Sequence, residues 1–456
     1  MSLPPQPLSP LDGRYRPAVT ALGEHLSEAG LNRARVHVEI EWLILLTDAG
    51  MFGVAPLADD ERASLRAWAA GFGQEEIDWL AAKEAVTRHD VKAVEYLIRA
   101  RLDELGLGRV AELVHFACTS EDINNLSVAI TVRDAVRGVW LPKLDGLLER
   151  LEALARETAD ASMLARTHGQ PATPTTMGKE LAVTVTRLGR QRERIAAQQF
   201  LGKLNGATGT YAAHLAASPE TDWPALSERF VTSLGLTWNP LTTQIESHDW
   251  QAELYQAIAL TGRILHGFCV DVWTYISLGY FRQIPVAGAT GSSTMPHKVN
   301  PIRFENAEAN LELAAALLDS LAATLVESRM QRDLTDSTTQ RNIGVALGHS
   351  LLALDNVTRG LGEIALDRDR LAADLEQNWE VLAEAIQTVI RAEVVAGRSS
   401  IADPYAVLKD LTRGHRVGRE ELAEFIAGLD IGEAAKARLT ALTPASYTGL
   451  AAQLVG

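Results

Sequence analysis

Apolar residues recur at three- and four-residue steps along most of the chain, and strand-like alternation is scarce. Over residues 302–330, Ala307, Leu311, Ala314, Ala315, Leu318, Leu321, Ala322 and Leu325 trace one helical face. Pro301 stands just ahead, where the first turn needs no amide donor. Such a helix would run for about 43 Å at 1.5 Å per residue, longer than an ordinary globular helix. Similar runs predict long helices over 125–160, 176–200, 250–281 and 340–355. Long helices with Ala/Leu faces make a bundle the best architecture. Their apolar surface exceeds what one chain covers, so a homo-oligomer is expected. Residues 1–115 carry shorter helical segments, among them 32–49 and 59–72, and the chain from 363 onward is again short helices, with loops at 399–404 and 413–418. The expected fold is all-α: an N-terminal helical region 1–115, a central long-helix bundle 116–362 and a C-terminal helical region 363–456.

Composition narrows the classes. The 456 residues are 47% hydrophobic and 22% charged, as in a globular protein with a large core. A net charge of −15 argues against nucleic acid as a partner, because phosphate neutralisation needs clustered Lys and Arg. Two cysteines, Cys118 and Cys269, make neither a disulfide framework nor a zinc site; both sit in apolar runs and read as buried thiols in a reducing cytoplasm. The opening residues lack the basic and apolar regions of a signal peptide. The most membrane-like stretch, 264–281, contains His266 and Asp271 and reads as a buried helix, so no membrane partner is expected.

The connectors hold the candidate chemistry. Residues 288–301 place glycines, prolines, Ser292, Ser293, Lys298 and Asn300 between two long helices. By composition this is either a polar linker or a backbone cradle for a carboxylate or oxyanion. Residues 166–175 set His168 beside Gly169 and two prolines, on a constrained loop before a helix near Thr176; a lone loop histidine is either an acid–base group or an exposed bystander. Thr119 and Ser120 open a long helix, where capping and anion binding are compatible. Basic clusters at Arg14–Tyr15, Arg88–His89–Asp90 and 329–341 stand out in so acidic a chain; they are either partnered surface arginines or ligands for a small polyanion. Gly202, Gly206 and Gly209 miss the dinucleotide spacing, and no P-loop, HExxH or Gly-x-Ser-x-Gly motif occurs.

The run from Gly291 to Pro301, GSSTMPHKVNP, resembles the signature loop of the fumarase/aspartase superfamily, and the segments at Thr119–Ser120 and Thr167–His168 resemble its other two short regions. SPLDGRY at 9–15, RHDVKAVEY at 88–96, TSEDINN at 119–125, RDLTDS at 332–337 and, more weakly, DPYAVLKDLTRG at 403–414 resemble the branch acting on succinyl-nucleotides, in its longer bacterial form. This resemblance implies three helical domains around a long-helix bundle, and a homotetramer with each site built from three subunits. The implied reaction is β-elimination of fumarate from adenylosuccinate, giving AMP, and from the succinyl-carboxamide imidazole ribotide, with no metal or organic cofactor.

By position, the resemblance makes Ser292 the general base (Ser293 is its immediate neighbour), activated by amides and Lys298, and His168 the general acid, oriented by Glu305. Lys298 and Asn300, with Thr119 and Ser120, would hold the succinyl carboxylates; Arg14, Tyr15, Arg332, Ser337 and Arg341 would take the nucleotide. Arg88, His89, Asp90, His115 and Gln244 also fall on motif positions, with His89 a rival for the acid role. Two other readings are another fumarate-releasing lyase, such as one acting on argininosuccinate, and a non-catalytic helical scaffold; the latter predicts loss of Ser292, His168 or Lys298, and all three are present.

Overall fold

The computed structural model describes residues 7–285, 295, 298–412 and 417–456, without the side chains of 410–412. Among them helices dominate, joined by three two-stranded sheets. The long periodic runs are helical: Met177–Ala196, Asp249–Ser277, Ile302–Leu325 and Ile343–Gly362. The run expected over 125–160 is interrupted. Ser120–Ala135 and Leu141–Glu157 are separated by a wide turn over Val136–Trp140, in which the Leu141 amide reaches back to the Val136 carbonyl.

The described chain falls into two compact units. The first comprises Met1–Asp145, Arg190–His266 and Ala307–Asp355; the second comprises Gly146–Gly189, Gly267–Asn306 and Asn356–Gly456. In the first, the Glu28–Asp48 helix packs against Asp90–Glu104 and Ser120–Ala135. Its apolar residues, Val36, Val38, Ile40, Trp42, Leu43 and Leu46, are buried around most of its circumference, as suits a helix inside a bundle. Trp42 donates its indole N–H to the Phe116 carbonyl at 3.2 Å, and Trp140 donates to Ser350 Oγ at 2.9 Å, so neither large side chain leaves a buried donor unpaired.

In the second unit, Gly178 lets its helix approach the preceding one closely: a Cβ there would stand 2.3 Å from the Ala155 carbonyl oxygen. Its C-terminal part packs around Leu382, Ile386, Ile390, Leu422, Ile426 and Leu439. The expected loop at 166–175 is instead an antiparallel hairpin, Ser162–Thr167 with Gln170–Thr176, closed between paired Thr167 and Gln170 by His168 and Gly169. Both turn residues are left-handed, at φ 54° and 74°, which is the geometry of a tight hairpin turn. Leu164 anchors the hairpin against Leu375 and Val381. No helix among the described residues is long and apolar enough to cross a membrane. Cys269 is buried as expected, whereas Cys118 is only partly so.

Candidate active site

Three helices of the first unit begin at one cavity of about 550 Å³. Ser27 caps Glu28–Asp48 by accepting from the Gly30 amide at 3.1 Å. His89 caps Asp90–Glu104 by accepting from the Lys92 amide through Nδ1 at 3.2 Å. Thr119 opens Ser120–Ala135 with its own amide donated to Asp122 at 2.8 Å. Helix starts carry free amides and a partial positive charge, so three of them around one cavity favour an anion.

Arg35 ties the three starts together. Its side chain is 4% exposed and donates to Asn32, Asn124 and Asp90, each at 2.9 Å, so the buried guanidinium is paired on every helix it meets. Burial alone pushes the Asp90 carboxyl up, but Arg35, the Val91 amide and Arg341 outweigh it and hold Asp90 below the usual carboxylate range. Arg341 pairs with Glu28 at 2.9 Å, and Arg332 reaches Glu121 at 3.1 Å and Asp336 at 2.8 Å. Of the four arginines lining the cavity, Arg88 alone makes no ion pair among the described residues. It also holds a left-handed backbone, φ 51°, at the end of its helix.

Beneath Thr119 lies a fully buried pair, Lys203 and Asp122, at 2.8 Å. Asp122 also accepts from the Asn205 and Gly206 amides at 2.9 and 3.1 Å, and Lys203 donates to the Gly206 carbonyl at 3.2 Å. Next to this turn, Gln244 donates to the Ala207 carbonyl at 2.9 Å. The buried charges therefore brace two parts of the cavity lining, Thr119–Glu121 and Gln244.

The cavity brings together Arg88, His89, Asp90, Thr119, Ser120, Gln244, Arg332, Ser337 and Arg341 from the sequence-derived set. His115, Arg14 and Tyr15 belong to the same unit but do not line it. His115 takes a left-handed backbone, φ 58°, and its Nδ1 lies 2.6 Å from Glu39; burial lowers its pKa, yet the Glu39 carboxylate raises it further, leaving it above the ordinary imidazole value. The Arg14 guanidinium lies 5.9 Å from the Tyr15 ring centre.

Four candidates belong to the second unit: His168, Glu305, Lys298 and Asn300. His168 is exposed at the hairpin tip. Glu305 is exposed and accepts from the Trp273 indole at 3.2 Å; no hydrogen bond joins it to His168 within the chain. Lys298 is exposed and donates its amide to the Met295 carbonyl at 3.0 Å. Ser292 and Ser293 lie outside the described residues, as do most of the loop that carries them and residues 413–416. Sequence reasoning missed Arg35, Glu121 and Asn124 in the cavity lining and Lys203 beneath it. An arginine in the apolar register of 32–49 was the available signal for the first. Among the described residues, no group of three or more His, Cys, Asp or Glu side chains is placed to hold a metal ion.

The fold is shared with solved enzymes. A 3-carboxy-cis,cis-muconate lactonizing enzyme from Pseudomonas putida superposes with a TM-score of 0.73 at 23% identity, covering 96% of this chain and 95% of that one. A fumarate lyase from Mesorhizobium sp. BNC1 gives 0.74 at 20% identity, covering 96% of each. A family profile described as Lyase matches residues 13–315, so the chain is a lyase by family. A second profile, described as Adenylosuccinate lyase C-terminal, matches residues 328–448. Curated adenylosuccinate lyases of Escherichia coli K12 and Haemophilus influenzae are 49% and 48% identical to it, each over 98% of this chain and 97% of the relative. The chain belongs to the adenylosuccinate lyase family and is a carbon–nitrogen lyase.

Proposed function

We propose that the chain releases fumarate from adenylosuccinate, giving AMP, and from succinyl-aminoimidazole-carboxamide ribotide, giving AICAR, as a cytoplasmic enzyme of purine biosynthesis. The observation that carries this reading is the cavity. In a chain of net charge −15, it gathers three helix starts and four arginines, three of which (Arg88, Arg332 and Arg341) are positions the resemblance assigns to a succinyl-nucleotide site. Arg332, Ser337 and Arg341, with Arg14 and Tyr15, take the nucleotide, where phosphate suits the guanidinium fork. Thr119, Ser120, Lys298 and Asn300 hold the succinyl carboxylates, and Arg88, His89, Asp90, His115 and Gln244 complete the surroundings.

Elimination begins with loss of a carbon-bound proton beside a carboxylate, which concentrates charge on that carboxylate and calls for donors already in place. Ser292 removes this proton, and His168, positioned by Glu305, protonates the departing nitrogen. No metal or organic cofactor takes part. Region 1–115 supplies part of the binding side, region 116–362 supplies the acid and base, and region 363–456 completes the fold. The enzyme is a homotetramer whose sites combine loops from different subunits, which accounts for an exposed His168 and an exposed Glu305 in one chain.

Purified protein is expected to convert adenylosuccinate, followed by ultraviolet absorbance, and to leave argininosuccinate untouched. Ser292→Ala and His168→Ala should each lower kcat by about 10²–10⁴-fold. Mixing the two inactive variants should restore partial activity. Verified mixed tetramers that stay inactive would count against shared sites, and a Ser292→Ala enzyme working at full rate would remove the base assignment.

A further inference from the structure

From Arg332 runs a chain of buried polar side chains. Tyr255 donates its hydroxyl to Gln251 Oε1 at 3.0 Å, and Gln251 Nε2 lies 3.2 Å from His248 Nδ1. His248 Nε2 lies 3.2 Å from Asp336 Oδ2, the same oxygen that accepts from Arg332 Nη1 at 2.8 Å. The order of donors fixes the tautomer: Gln251 donates to Nδ1, so the ring proton sits on Nε2 and points at Asp336. Asp336 Oδ1 accepts from the Ser337 amide at 2.6 Å, and Arg332 Nη2 donates to Ser337 Oγ at 3.1 Å. Every link lies in the first unit.

We propose that His248 is a positioning residue for substrate binding, acting through Asp336 to aim the Arg332 guanidinium into the cavity. This rests on the reading of Arg332 as a ligand of the nucleotide. The residue is 1% exposed, its backbone is held left-handed at φ 61°, and its amide is pinned to Glu246 Oε2 at 2.9 Å. An imidazole in that conformation is set by its surroundings rather than by local preference. Its N–H also shares the Asp336 carboxylate with Arg332. A guanidinium paired to a carboxylate with no other donor on that oxygen would spend more of its charge there; a second donor leaves more of it for an incoming anion.

The test is a double-mutant cycle on the full-length enzyme with adenylosuccinate. His248→Asn keeps a residue that tolerates the left-handed backbone but falls short of Asp336. It should raise KM about tenfold and leave kcat within about twofold. His248→Gln, whose amide extends to the position of Nε2, should recover most of the loss. Arg332→Met should raise KM by itself, and adding His248→Asn to it should change nothing further, because the histidine would have nothing left to aim. Additive effects, an unchanged KM in His248→Asn, or equal KM values for the Asn and Gln variants would overturn the inference while leaving Arg332 a ligand. An unchanged KM in Arg332→Met would overturn the ligand reading itself, and the inference with it.

Discussion

Around the cavity of the first unit, Arg35, Lys203, Asp122 and Asp336 are buried and paired on several sides; Arg35 lines the cavity, and the other three support residues that do. The hairpin tip of the second unit is the reverse: His168 and Gly169 stand exposed on a two-residue turn. The first arrangement has its polar groups fixed before anything binds, so a charged ligand meets dipoles that need little reorganisation. The second has a backbone geometry ready but a side chain with no hydrogen-bond partner among the described residues. The groups around the cavity are thus held in place within one chain, whereas His168 stands exposed in it.

Three substitutions probe this contrast, in falling order of effect. Lys203→Met removes one partner of a fully buried pair and strands Asp122, so urea unfolding should show a loss of about 3–5 kcal/mol. A loss below about 1 kcal/mol would mean that buried charge does not hold the cavity together. Arg88→Met should raise KM about tenfold, close to 1.4 kcal/mol, with an unchanged unfolding midpoint, since Arg88 gives up no ion pair. A drop in stability there would show that Arg88 belongs to the scaffold rather than to the ligand. Gly169→Ala meets no neighbour within 4 Å, so its cost is the left-handed backbone alone, about 1 kcal/mol. It should lower kcat a few-fold and spare KM, because it disturbs the turn that presents His168. An equal change in both constants would put the hairpin on the binding side instead.

The long helices were legible because Ala and Leu repeat at helical steps over many turns, where period and length agree. The hairpin was not. Its strands, SMLART and QPATPTT, are short, carry Pro171 and Pro174, and break register between Met163 and Ala165, so no alternation survives. Much of the cavity lining was legible through resemblance, since Thr119, Ser120 and the Arg88–Asp90 run stand in recognisable motifs. Its supports were not. Lys203 and His248 read as ordinary polar residues, because burial and pairing between segments more than 80 residues apart leave no local pattern. Asp122 and Asp336 stood inside the quoted motifs TSEDINN and RDLTDS, but nothing in those motifs marked either as a buried support.

The wide turn at Val136–Trp140 has its own consequence. One additional residue per turn advances every later side chain by about 100° around the axis. Leu141 and Leu144, which follow the turn within the first unit and are buried, therefore owe the direction they face to that one extra residue. A deletion of Gly138 that straightened the coil would swing Leu141 and Leu144 toward water: here orientation is stored as a residue count.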